Sequence, residues 1–175
     1  MKTLNKTILV LLAIVAVGFT SCSKDDDGGS DGAAAAGTVE AKVDGSAFKS
    51  MTQTSTASYV SAGGSATVTL QGSDASGKAI HIIIGGFDGE GTYQLSDSNV
   101  FISASYTEVN VNDPMNTQTW HAPYQDSGIV GEVKVSELTD TNIKGTFNFK
   151  GKNTGENGSI KNLTDGSYNL SLTRY

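Results

Sequence analysis

The fold class this sequence predicts is an all-β antiparallel sandwich, and three observations carry it. Apolar and polar residues alternate at period two along most of the chain after Thr38. No stretch repeats apolar residues at i, i+3, i+4 and i+7, and the alternating runs are punctuated by Gly, Asp and Asn. About nine or ten such strands cannot remain one flat sheet with a single wet face, so they must close into a sandwich or, as the alternative, a small β-barrel. Inward and outward residues alternate in both, so periodicity alone leaves that pair open.

The strands follow in order. Short runs near 39–43, 47–51 and 56–61 come first. Ala66, Val68 and Leu70 then share one face against Ser65, Thr67, Thr69 and Gln71, which predicts a strand with a core side and a wet side. In 79–84, Ile80, Ile82 and Ile84 share a face while Ile83 lies on the other, as expected of a central strand covered on both sides. Strands near 91–95 and 100–108 follow. Ile129, Gly131, Val133 and Val135 alternate with Val130, Glu132, Lys134 and Ser136, and Ile143, Gly145, Phe147 and Phe149 with Lys144, Thr146, Asn148 and Lys150. Tyr168, Leu170 and Leu172 mark a last strand.

Asp44-Gly45 and Asp165-Gly166 offer residues that tolerate positive φ and so predict two-residue hairpin loops. The stretches 74–77 and 140–142 suit two further hairpins. The longest segment without a pattern is 109–126, which holds Pro114, Trp120, His121, Pro123 and Tyr124. Binding residues often lie on such segments.

Composition excludes some functions. The net charge is −6, and Lys2 and Lys6 fall in a leader expected to be removed, leaving 10 basic against 18 acidic residues, near −8. Nucleic-acid binding starts from clustered Lys and Arg, which this chain lacks. One cysteine, Cys22, rules out an intramolecular disulfide and a Cys-rich zinc site.

Residues 1–7 carry Lys2 and Lys6 and no acid, and the apolar run 8–19 follows. As a helix that run would span roughly 18 Å, well short of the roughly 30 Å of a bilayer core, and it reads as a signal peptide over 1–21. Phe19-Thr20-Ser21-Cys22 resembles the lipobox of bacterial lipoproteins, although Phe19 stands where Leu is usual. The resemblance implies that Cys22 is lipidated and becomes the mature N-terminus. Several acyl chains, each buried methylene contributing about 0.8 kcal/mol, would hold the protein on a membrane. Ser23-Lys24-Asp25-Asp26-Asp27 is similar to the export tag that sends lipoproteins of the Bacteroidota to the outer face of the outer membrane; the same acids also suit a solvated linker, with the periplasmic face as the alternative address. Residues 22–37 read as an acidic, Gly- and Ala-rich tether, leaving one domain over 38–175.

A second resemblance spans nearly all of that domain. Val43-Asp44-Gly45 with Phe48, the stretch from Gly89 to Leu95, Gly131 to Val135 and Thr141 to Phe149 resemble a family of uncharacterised Bacteroidota lipoprotein domains. The resemblance implies a small β-sandwich and assigns no activity.

Candidates for chemistry are sparse. A serine hydrolase needs an oriented base, and here there are two histidines and no Gly-x-Ser-x-Gly elbow. His81 sits within an isoleucine strand, which suits a structural role; His121 is the more accessible. Asp88 with Glu90, or Asp113 with Asp126, are the pairs a carboxylate-based hydrolase would use, but all lie in expected turns. Asn110, Asn112, Asp113 and Asn116 are oxygen-rich without the spacing of a helix-flanked calcium loop, and such residues also serve turns. No metal or cofactor is expected. Trp120 and Tyr124, with His121, are the candidate binding residues, since loop aromatics stack on sugars or anchor interfaces. The expected function is a noncatalytic surface domain that binds a glycan or an envelope protein. A structural subunit of an envelope complex is the alternative, and a hydrolase comes third.

Overall fold

The computed structural model describes residues 33–110, 112–155 and 158–175. The signal peptide, Cys22 and the tag Lys24 to Asp27 lie outside the described residues. The fold is all-β, with β1 Thr38–Val43, β2 Ser46–Lys49, β3 Thr56–Ala62, β4 Ser65–Ser73, β5 Lys78–Gly85, β6 Gly91–Ser96, β7 Ile102–Glu108, β8 Gln118–Ala122, β9 Ile129–Leu138, β10 Asn142–Asn153 and β11 Ile160–Arg174. Ala34 is already buried, and the Gly37 N–H donates to the Asn169 carbonyl at 2.7 Å, so the chain docks onto the body before β1 begins.

All eleven strands form one continuous sheet in the order β2-β1-β11-β3-β4-β5-β7-β8-β10-β9-β6, with β10 also paired to β11. That pairing makes two leaves. Six strands, β2-β1-β11-β10-β9-β6, form one leaf, and β3-β4-β5-β7-β8 form the other. The leaves join only where the end of β11 meets β3 through three residue pairs and the end of β10 meets β8 through two, against ten between β10 and β11. Such short corners fit a folded-over sandwich better than an evenly paired barrel wall. The β11–β3 corner is parallel; every other pairing is antiparallel.

Period-two patterning fills the space between the leaves. Val68, Leu70, Ile80, Ile82, Ile84 and Ala104 from the five-stranded leaf meet Val39, Val133, Val135, Ile143, Phe149 and Leu170 from the other in one apolar core. Ring contacts tie the leaves together: Phe48 on β2 stands edge-on to Tyr106 on β7 at 6.4 Å, and Phe87, ahead of β6, touches both Tyr59 and Tyr93. The Asp44-Gly45 turn adopts φ of 48° and 83°, as a two-residue hairpin between β1 and β2 requires.

Four details differ from the sequence reading. The 109–126 segment contains a strand, β8, because Trp120 and Ala122 point inward while Thr119 and His121 point outward; five residues bounded by Pro123 make too short a pattern to stand out. Val100 and Phe101 belong to the turn before β7. Asp165-Gly166 does not end a strand: β11 runs straight through, and the positive φ of 51° at Asp165 opens a bulge where the registers with β1 and β10 both shift. Lastly, β5 is covered on one side only. His81 and Ile83 on its outer face are half-buried, shielded by their cross-strand neighbours.

Candidate functional site

Trp120 is the residue on which an aromatic binding platform would depend, and β8 turns it inward. Its side chain is 4% exposed. The indole lies 5.8 Å from the Tyr106 ring, and its Nε1–H donates to Ser159 Oγ at 3.0 Å. Above the ring, the Lys161 ammonium sits 4.8 Å from the indole centroid, bonded to Glu108 at 3.2 Å and within 3.7 Å of Asp44. Glu108 also accepts from the Tyr106 hydroxyl at 2.9 Å; burial, then this carboxylate, push the phenol well above its ordinary range. This cluster closes one end of the sandwich, with a cation over an aromatic floor. It leaves the indole no free face for a ligand.

His121, next along β8, points outward, and register places it in company the sequence could not show. Reading across the five-stranded leaf and onto β10, Gln71, His81, Ser105, His121 and Lys152 form one row. Paired residues project to the same side of a sheet, so both histidines flank Ser105 on the outer face. Burial holds the His81 imidazole below its usual value of 6.5. The Lys152 ammonium lies 5.6 Å from the ring of Tyr124, which follows β8. In an acidic protein this face is unusual: Glu108 is the only acid on its five strands, and it faces inward with Tyr106.

Of the acidic candidates, Glu90 is engaged by a backbone donor. Glu90 Oε1 accepts the Leu138 N–H at 3.0 Å, and the Asp88 N–H donates to the Tyr93 hydroxyl at 3.1 Å. Asn110 Oδ1 accepts from the N–H groups of Asn112 and Asp113, and the Asn116 amide donates to Asp113, so this oxygen-rich segment knits its own turn. Asp126 holds a turn at φ 59°. Among the described residues no group of three or more His, Cys, Asp and Glu converges as a metal site.

A concave surface lies at the open side between β6 and β7, away from the predicted residues. Two adjoining hollows of about 450 and 400 Å³ share Tyr93, Asn99 and Ile102 as walls, with Phe101 and Gly86 closing the larger. Tyr93 is fixed in place by stacking on Phe87 at 5.6 Å and by donating its hydroxyl to the Gly89 carbonyl at 2.7 Å. Gly85 donates its N–H to the Phe101 carbonyl at 2.8 Å, and an added Cβ at Gly85 would stand 3.0 Å from that oxygen, so the β6–β7 turn packs closely here because the residue is glycine. Nearby, Val100 is 71% exposed, Phe101 74% and Ile129 64%. The Asp97 N–H reaches the Gly128 carbonyl and Ser96 pairs with Ile129, bringing the start of β9 beside this turn. Sequence reasoning missed this site by extending β7 back to Val100; the run Ser96-Asp97-Ser98-Asn99 was the turn signal that would have placed Val100 and Phe101 on a loop.

No curated protein and no solved structure matches the chain. Residues 35–169, nearly the whole described body, match one family model, and the chain belongs to that family, described as a domain of unknown function (DUF6252).

Proposed function

We propose that this chain is a lipid-anchored envelope protein whose sandwich is a noncatalytic binding domain, engaging a glycan or an envelope protein at the hollow between β6 and β7. One observation carries the binding reading: three apolar side chains, Val100, Phe101 and Ile129, stand in water beside a concave surface. Exposed apolar clusters rimmed by polar residues mark interaction sites, and a rigid aromatic at such a rim loses little entropy on binding. The Ser, Asn and Gln side chains along the walls supply hydrogen bonds for orientation.

The anchor rests on the sequence: Cys22 follows the apolar run 8–19, and the Lys24 to Asp27 tag supports display on the cell exterior in a Bacteroidota-type envelope. Replacing Cys22 with alanine is expected to move the protein from the membrane fraction to the soluble fraction; retention in the membrane would count against lipidation there.

Glycan and envelope-protein arrays probed with wild type and Phe101→Ala test the binding reading. The expected result is a ligand for the wild type whose affinity falls about tenfold or more in the variant, with the melting transition unchanged. Equal binding by both would displace the site from this rim. A second reading, a structural subunit with no small ligand, is favoured by the burial of Trp120, and it predicts no ligand for either protein.

A further inference from the structure

We infer that His81 and His121, facing each other across Ser105 on the outer side of the five-stranded leaf, bind one divalent transition-metal ion of the copper, nickel and zinc group. The chain has two histidines, forty positions apart, and the pairings His81↔Ser105 and Ser105↔His121 set both in a single row. Each step between neighbouring strands is about 5 Å, so the two histidine α-carbons stand roughly 10 Å apart, with both side chains on one face. Serine between them is small. In the proposed site the two imidazoles turn over Ser105 so that their nitrogens meet at a common point, with its hydroxyl as a ligand or as a partner for a metal-bound water.

The strands on either side of Ser105 surround that point with neutral residues. On one side runs the row Ala79, Thr107 and Thr119, whose two threonine hydroxyls bond each other at 3.1 Å; on the other lie Thr69, Ile83 and Ser103. Lys152 is the cross-strand neighbour of His121, and its ammonium lies 5.6 Å from the Tyr124 ring centroid. Because the five strands of this leaf set no carboxylate on the outer face among the described residues, the donor set is imidazole nitrogen with hydroxyl and water. That set suits copper, nickel and zinc, whereas calcium and magnesium require oxygen-rich, usually anionic cages. Among the suited ions the expected order places copper(II) tightest. The site is separate from the β6–β7 hollow and stands or falls independently of the binding function proposed there.

Isothermal titration of the purified protein at neutral pH with copper(II), nickel(II), zinc(II) and calcium chlorides tests it. The expected result is one ion per chain with copper tightest and calcium silent. His121→Ala, at an exposed position where folding is not at stake, is expected to weaken binding by at least about 100-fold, since even losing a supporting partner of a ligand typically costs 10- to 100-fold. His81→Gln is expected to do the same, with an unchanged circular dichroism spectrum confirming its fold. In the wild type, substoichiometric copper should broaden the imidazole resonances of both histidines together. Binding that survives undiminished in His121→Ala, binding that persists in the double variant, or no binding by the wild type would each overturn the assignment.

Discussion

Replacing Trp120 with alanine is expected to lower the free energy of unfolding by roughly 3–5 kcal/mol, the range for deleting a large buried aromatic. The indole fills the end of the core against Tyr106, and Gly151 packs so closely beside it that an added Cβ there would stand 2.9 Å from Trp120 Cβ. Truncation therefore leaves a cavity, and it also removes the nearer of the two rings, Trp120 and Tyr106, beneath the Lys161 ammonium. Trp120→Phe keeps part of the packing and loses the Nε1–H donated to Ser159, so an intermediate loss of about 1–2 kcal/mol is expected. Denaturant titration measures both. In contrast, Phe101→Ala at the exposed rim is expected to stay within about 0.5 kcal/mol of wild type. A Trp120→Ala protein as stable as its parent would mean that the indole is not the core plug described.

Gly145→Ala is the second large effect, through overpacking. Gly145 lies on β10 where β9 and β11 flank it, and an added Cβ would collide with the Lys134 carbonyl oxygen and the Tyr168 hydroxyl. Neither can retreat cheaply. The carbonyl is strand backbone, the tyrosine is buried, and its hydroxyl donates to that same carbonyl at 3.0 Å. One methyl group must therefore push neighbouring strands apart or expel the ring, and a loss of at least roughly 3 kcal/mol is expected, at or beyond the upper end for inserting bulk into a packed interior. For a domain of this size that corresponds to a drop in melting temperature on the order of 10 °C. Thr146→Ala, the next residue and exposed, is the control. An unchanged melting temperature in Gly145→Ala would show that β9, β10 and β11 are not packed as closely as described.

Much of the fold was legible because its signals are local. The alternation of Ala66, Val68 and Leu70, the isoleucines of β5 and the phenylalanines of β10 each announce a strand and its buried face within a few residues. Asp44-Gly45 announces its turn in two. What was not legible depends on register or on competition between readings. Asp165-Gly166 carries the same chemistry as Asp44-Gly45, and only the pairing of β11 with both β1 and β10 decides that it makes a bulge instead of a loop. Likewise, His81 and His121 carry no shared motif, and two strand pairings through Ser105 bring them together. Trp120 read as a loop aromatic because its strand is five residues long, whereas Phe101 read as a strand residue because it adjoins a longer one. In both cases neighbouring pattern outweighed the short local signal, and the candidate surface moved from the β8 segment to the β6–β7 turn.

Photo-crosslinking in intact cells tests the binding function most directly. A photoreactive phenylalanine analogue placed at position 101 of the full-length protein reports what touches the rim, and the same analogue at Asn148, exposed on β10 of the six-stranded leaf, serves as the control. A discrete covalent adduct is expected from position 101 and none from position 148. No adduct from position 101, or the same adducts from both positions, would contradict the binding function.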